Sequence, residues 1–507
     1  MDTKLLEAAR AAFPASLPGI TLGAVVHEGA CDPEPLVRLP LGMANRHGLI
    51  AGATGTGKTK TLQLMAEQLS AAGVPVLVAD IKGDVSGLGA PGEANDKVTQ
   101  RAKDTGFAWK PARASIELLS LTGRHGAQLR ATVSSFGPLL LSKVLGLNDT
   151  QSSVLALVFQ YCDDRKLLLL DFADLRAVLQ HLTGDGAADL KDYGGMSKAS
   201  VGVLLREMVE LEQQGAKTFF GEPEFELDDL LRVEGGRGVV SVLELSDVQD
   251  KPEAFSTFMM WMLARLYHDL PEVGDPDKPK LVFFFDEAHL LFHGASKAFL
   301  DQVEQVVRLV RSKGVGVFFI TQSPRDIPAN ILGQLGNRVQ HALRAFTPDD
   351  ETALQSAART YPKTPFYDIA ATLTSLGIGE ALVTTLTSSG TPTPPFVTRM
   401  VPPASRMGPL TETEFAQQTG ASAQVAKYAQ AVDRESARES LAEAATPAAP
   451  APSPTPAAPR APGRAPKPEP SALEEILKSP VTRTVAGQLT RGLLGALLGP
   501  TPRRRRY

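Results

Sequence analysis

Two periodicities alternate along this chain. Short, nearly continuous apolar runs occupy residues 48–51, 76–79, 238–245, 281–285 and 316–320. Between them apolar residues recur every three or four positions: Leu62, Met65, Ala66 and Leu69 form one such stripe, and Val303, Val306, Val307 and Val310 another. The second pattern predicts amphipathic helices. The first, apolar without alternation, predicts strands covered on both faces, as in a parallel sheet. Strand and helix in repetition predict an α/β chain with a mainly parallel sheet.

The pattern changes at both ends and in the middle. Residues 1–47 read as a short helix and a β-hairpin leading to the first buried strand, and 48–96 as the first part of the α/β core. Residues 97–235 carry helix-like groups of Leu and Val separated by short polar turns, and predict an α-helical insertion. The α/β pattern resumes over 236–405, where the segment from Leu376 to Val383 reads as a turn and the last strand. A helical extension is expected at 406–445. Residues 446–470 are rich in Ala and Pro, an extended linker without apolar periodicity. In 471–507, Val481, Val485, Leu489, Leu493 and Leu497 fall at steps of four, an amphipathic helix before a terminal run of arginines.

Composition narrows the class. At 507 residues and 43% hydrophobic, the chain fills a large core, and its net charge of −4 does not announce a nucleic-acid binder. The C-terminal segment is locally basic, which suits nucleic-acid phosphates, a protein partner's groove or an anionic lipid surface, or simply a solvated tail. Two cysteines, Cys31 and Cys162, exclude a disulfide framework and suit a reducing cytoplasm. No transmembrane segment is expected, because no apolar run reaches the length a bilayer needs.

The chemistry begins with Gly52-Ala53-Thr54-Gly55-Thr56-Gly57-Lys58-Thr59, a full G-x-x-x-x-G-K-[ST] motif between a strand and a helix. Glycines let successive backbone N–H groups converge at a helix N-terminus, a cradle for a phosphate chain. Lys58 is expected to reach the phosphates and the Thr59 hydroxyl a Mg²⁺ ion, so ATP and Mg²⁺ are the expected cofactors. Asp286 and Glu287 close the apolar run at 281–285. With a phosphate loop upstream, Asp286 reads as a metal ligand and Glu287 as the carboxylate that orients or deprotonates water. Gln322, at the end of the next strand, suits a γ-phosphate sensor. Asp80 is either near the metal or part of a charged turn, and His47 either supports the site or sits at a strand edge. Arg311 ends a helix, as a cation complementing its dipole or as an arginine finger reaching a neighbouring subunit; Arg338 is the alternative finger.

Taken in order, the phosphate loop with Arg46-His47 before it, Asp80-Ile-Lys-Gly-Asp84, Phe-Phe-Phe-Asp286-Glu287-Ala-His289, the segment from Arg311 to Pro324, and Gly377-Ile-Gly-Glu-Ala-Leu382 resemble the HerA/FtsK superfamily of P-loop ATPases. The likeness spans about residues 20–402 and is greatest to bacterial HerA-like proteins with a helicase HerA-like C-terminal domain. It implies a RecA-like core, a homohexameric ring, and ATP hydrolysis coupled to moving DNA, usually double-stranded. By motif it implies Lys58 and Thr59 on phosphate and Mg²⁺, Asp286 on the metal, Glu287 as the catalytic carboxylate, Gln322 as sensor and Arg311 as the finger acting in trans. The residues before the loop are too few for the N-terminal β-barrel of HerA itself, so a partner docked through that barrel is not implied. Two other functions fit the same core: an ATP-driven protein or peptide pump related to secretion ATPases, and a nucleotide-dependent assembly scaffold with slow hydrolysis.

Overall fold

A twelve-stranded sheet organises the computed structural model, which describes residues 2–293, 297–432 and 434–445. The expected linker at 446–470 and helix at 471–507 lie outside the described residues. The strands are β1 (Gly19–His27), β2 (Ala30–Pro40), β3 (Gly48–Ala51), β4 (Val76–Asp80), β5 (Ile116–Ser120), β6 (Ala127–Gln128), β7 (Val233–Glu234), β8 (Arg237–Gly238), β9 (Val240–Glu244), β10 (Leu281–Phe285), β11 (Val315–Thr321), β12 (Asn337–His341), β13 (Glu380–Thr384) and β14 (Phe396–Met400). All but the small β7–β8 hairpin join the sheet, in the order β2-β1-β14-β13-β12-β3-β11-β10-β4-β9-β5-β6. From β12 to β6 every pairing is parallel. From β12 back to β2 every pairing is antiparallel.

The continuous apolar runs are central strands, and the pleat divides each between two cores. Leu77, Ala79, Phe283, Phe285 and Phe319 face one side; Val76, Val78, Val282, Phe284 and Phe318 face the other. Successive side chains on a strand point to opposite faces, so a run buried throughout needs cover on both. One cover is the helix Lys58–Ala71, with Thr3–Ala12 and the β1–β2 hairpin. The other is Pro252–Asp269, Lys297–Val310 and a group of helices from the middle of the chain. Aromatic rings fill the centre: Phe283 stacks on Phe285 at 4.1 Å between centroids, and Phe284 lies 5.2 Å from Phe318.

Three expectations change. The span 97–235 is not all helix, because β5 and β6 extend the main sheet within it. Ile116-Glu-Leu-Leu-Ser120 is too short for periodicity to separate a strand from buried helix. The helices there run Val133–Val144, Asp149–Arg165, Phe172–Thr183 and Lys198–Gln213. The hairpin in 1–47 is not a separate lead-in, since β1 pairs with β14 and completes the sheet edge. The strand at 380–384 is not the last one; β14 follows it and returns the chain to the N-terminal hairpin.

Beyond β14, Glu67 on the helix Lys58–Ala71 accepts from the backbone N–H of Ala404 (2.7 Å) and Ser405 (3.0 Å), fixing the chain across that helix. The extension then forms Glu412–Ala421, Ala423–Tyr428 and Ala437–Ala445. Among the described residues no helix is long and apolar enough to cross a membrane.

The two-sided core sets a stability expectation. Phe284 is fully buried in β10, and Phe284→Ala should lower the unfolding free energy by about 3–5 kcal/mol, through lost transfer energy and a residual cavity. Chemical denaturation of the two proteins measures it; a loss below about 1 kcal/mol would mean that β10 is not packed on this face.

Candidate functional site

Parallel strands open their polar ends at one edge, where ligands of doubly wound sheets sit. The phosphate loop leaves β3 there. Gly57 (φ 120°) precedes the helix whose first residues are Lys58 and Thr59. Thr56 Oγ1 donates to the Ala53 carbonyl (2.7 Å), closing the loop on itself. The Gly379 N–H donates to the Thr56 carbonyl (2.9 Å), and Arg101 holds the Gly379 and Ile378 carbonyls at 2.8 and 2.9 Å. His341 supports the loop from below: its Nδ1 faces the Glu380 carbonyl (2.9 Å), so Nε2 is left to accept from the Thr61 hydroxyl (2.8 Å). A Cβ on Gly52 would stand 2.5 Å from the His341 Cβ, so this position excludes a side chain.

Lys58 is buried, and its Nζ donates to the Gly52 and Ala53 carbonyls at 2.8 and 3.2 Å. Burial lowers its pKa, against the nearby charges of Glu287 and Asp286. Thr54 and Gly55 are exposed at the mouth of the loop. The cradle and its ammonium thus fit a polyphosphate chain.

Asp286 and Glu287 close β10, two strands from the loop, and both are buried. Asp286 Oδ1 accepts from the Glu287 N–H (3.0 Å), while Oδ2 is buried without a hydrogen-bond partner among the described residues. Burial, then the charges of Glu287 and Asp80, pushes Asp286 up to about 7. An orphaned carboxylate oxygen beside a phosphate cradle fits a hard divalent cation such as Mg²⁺. Glu287 adopts a left-handed backbone (φ 47°), a strained state of the kind that gathers at functional sites. It pairs with Lys82 and lies 3.2 Å from His289 Nδ1.

Asp80 builds the charged turn, one of its two alternatives. Its Oδ1 accepts from the N–H of Lys82 (3.2 Å) and Gly83 (2.9 Å), and Oδ2 from that of Val85 (2.8 Å), so it builds the turn after β4. It also brings an oxygen within 4.8 Å of oxygens from Asp84 and Asp286. His47 is buried away from this edge, where Nδ1 accepts from the Val317 N–H (3.0 Å).

The family model described as helicase HerA-like C-terminal matches residues 27–506. The chain belongs to that family. It is 32% identical over 110 residues to the probable helicase MJ1565 of Methanocaldococcus jannaschii, a match covering 21% of this chain and 20% of that relative. The chain therefore matches about one-fifth of that relative's length. Its fold is similar to the plasmid coupling protein TrwB in complex with ADP and Mg²⁺, with a TM-score of 0.51 and 14% identity over 80% of this chain and 95% of that one. TrwB with the non-hydrolysable GTP analogue GDPNP gives 0.50 at 14% identity, covering 78% and 99%.

In this HerA-like chain the loop, Asp286 and Glu287 share one edge, and Gln322 joins them. It follows β11 directly, is exposed, and comes after Thr321, the register partner of Ala51. The arginines do not join them. Arg311 lies before β11, at the opposite ends of the strands, and reaches Asp275 at 3.5 Å. Arg338 gives its guanidinium to the carbonyls of Leu335, Leu332 and Thr360 (3.1–3.3 Å). Sequence reading passed over Lys82, Glu244 and His341 as functional residues. A lone acid ending an apolar strand, as Glu244 does, was a usable signal at a parallel sheet's polar edge; the His341 contact arises only through the fold.

Two buried histidines set a pH expectation. Burial holds His47 and His341 at about 4, below the ordinary 6.5. Between those values the unfolded chain takes up protons that the folded chain refuses, so their contribution is intact above 6.5 and lost as pH falls toward 4. His47→Gln should lose less thermal stability than wild type between pH 7 and pH 5. Melting curves at both values test it; equal losses would mean that His47 titrates normally in the fold.

Proposed function

We propose that this protein is an ATP-hydrolysing motor of the HerA type, working as a homohexameric ring on DNA. The observation that carries the ATPase reading is the convergence of the phosphate loop with the Asp286–Glu287 pair at one edge of the sheet. Membership in the helicase HerA-like family and a fold shared with TrwB, solved with ADP and Mg²⁺, support it. A cavity of about 260 Å³ beside Gly57, lined by Lys60, Thr61, Arg101 and Met400 among others, leaves room for the base and ribose.

Each side chain then has a task. The backbone N–H groups of 54–59 bind the phosphates, the Ala53 N–H being held by the Ala342 carbonyl (2.8 Å), and Lys58 exchanges its two loop carbonyls for phosphate oxygens. Thr59 and Asp286 hold the cation, directly or through water. Mg²⁺, when bound, neutralises charge on the β- and γ-phosphates. Glu287 takes the proton of the attacking water once it leaves Lys82, and Gln322 orients that water. Arg311, half-exposed and remote from its own loop, suits a finger serving the next subunit; Arg338, engaged by three carbonyls, suits a structural role. The surroundings expected for such an enzyme are cytoplasmic.

Steady-state ATP hydrolysis without DNA, with single-stranded DNA and with duplex DNA tests the whole reading. Duplex DNA should raise the wild-type rate severalfold. Glu287→Gln should cut hydrolysis by about 10²–10⁴-fold while still binding nucleotide, and Lys58→Ala should lose binding. Hydrolysis that ignores both DNAs would remove DNA as the cargo and favour the peptide pump. Nucleotide-driven assembly with slow turnover would favour the scaffold. Sedimentation with and without nucleotide reads the ring.

A further inference from the structure

We propose that Asp80, Asp84 and Asp286, backed by Glu244, form a divalent-cation site that this chain fills with Mg²⁺ or Mn²⁺ in the absence of nucleotide. The first three come from the ends of β4 and β10 and the turn after β4, and each offers an oxygen within 4.8 Å of the others. That is close to the spacing of oxygens around one hard cation, whose ligands lie about 2.0–2.6 Å from it.

Glu244 supplies the independent observation. It ends β9 beside Asp80, its register partner, and is 3% exposed. Its Oε1 has no hydrogen-bond partner among the described residues, and a Cβ on Gly83 would stand 3.5 Å from its Oε2. The carboxylate therefore rests against the turn that joins Asp80 to Asp84. Buried oxygens of Asp84 and Asp286 are likewise unpartnered.

The neighbouring ammonium groups balance this charge only in part: Lys60 faces Asp80 and Asp84, and Lys82 faces Asp84 and Asp286, two cations against four carboxylates and Glu287. Lys82 is paired with Glu287, and Lys60 is held by Gln63 Oε1 (3.0 Å) and the Met407 carbonyl. Buried carboxylates facing one another without a cation are costly, and oxygen donors of this kind select hard divalent ions. The cation adjoins the proposed nucleotide cleft and shares Asp286 with it, but needs no nucleotide to bind. Its place gives it a second consequence: it holds the β4 turn, and with it Lys82, in the position that engages Glu287.

The test is titration of Mn²⁺ into the chelator-stripped, nucleotide-free full chain, with free Mn²⁺ followed by electron paramagnetic resonance. Wild type should bind the ion, and Asp84→Asn and Glu244→Gln should each weaken binding about tenfold or more. Mn²⁺ should raise the melting temperature of wild type and raise that of Glu244→Gln less at the same concentration; if one variant fails to fold, the other carries the comparison. Lys58→Ala should keep this ion and lose only the further Mn²⁺ taken up with a non-hydrolysable ATP analogue. A wild type that binds no Mn²⁺ without nucleotide, or folded carboxylate variants that bind as wild type does, overturns the site. Analogue-dependent uptake absent from wild type, with the first ion retained, sinks the nucleotide reading and leaves this one standing.

Discussion

The burial of β10 is the constraint on which the rest of this structure depends. A strand of Leu, Val and three Phe has no solvent-facing side, so it needs helices on both faces and strands on both edges. Once it is placed between β4 and β11, its polar continuation has one place to go. Asp286 and Glu287 emerge at the edge where the phosphate loop leaves β3 and where the turn after β4 is tied down by Asp80. Hydrophobic burial thus delivers carboxylates to the interior, a placement they would not take by their own solvation.

That placement explains the character of the site. Buried acids raise one another's pKa values, buried ammonium groups are lowered, and the balance is struck by contacts within the chain. Lys58 rests on loop carbonyls and Glu287 on Lys82. Each charged group is satisfied by a partner within the chain. The left-handed backbone at Glu287 belongs to the same economy, local strain kept because the surrounding strands fix both sides of it.

The extension after β14, as far as residue 445, enters through packing rather than chemistry. The segment after β14 crosses the phosphate-loop helix, where Glu67 fixes it, passes the turn at 227–230, where the Tyr428 hydroxyl donates to Asp229 (2.6 Å), and reaches the helix Phe172–Thr183, where the Ser436 hydroxyl donates to Asp174. The loop helix, the helical group and the extension are thereby joined in one unit, which ties the phosphate-loop edge to elements distant in sequence.

The sequence by itself determined the parts of this protein whose signal is local. Continuous apolar runs marked the central strands, glycine spacing marked the phosphate loop, and a paired Asp286–Glu287 after an apolar run marked the acidic tip. Each follows from residues adjacent in the chain. It did not distinguish β5 from helix, because five apolar-rich residues carry no period, and it did not join the N-terminal hairpin to β14, because that pairing is made by residues far apart. Only the tertiary structure decided that Arg338 is occupied by carbonyls, that Arg311 stands at the opposite edge from its own loop, that His341 excludes a side chain at Gly52, and that Glu244 lies beside Asp80 with one oxygen unpartnered among the described residues. These depend on strand order and register, which set what a side chain meets and which no window of sequence contains.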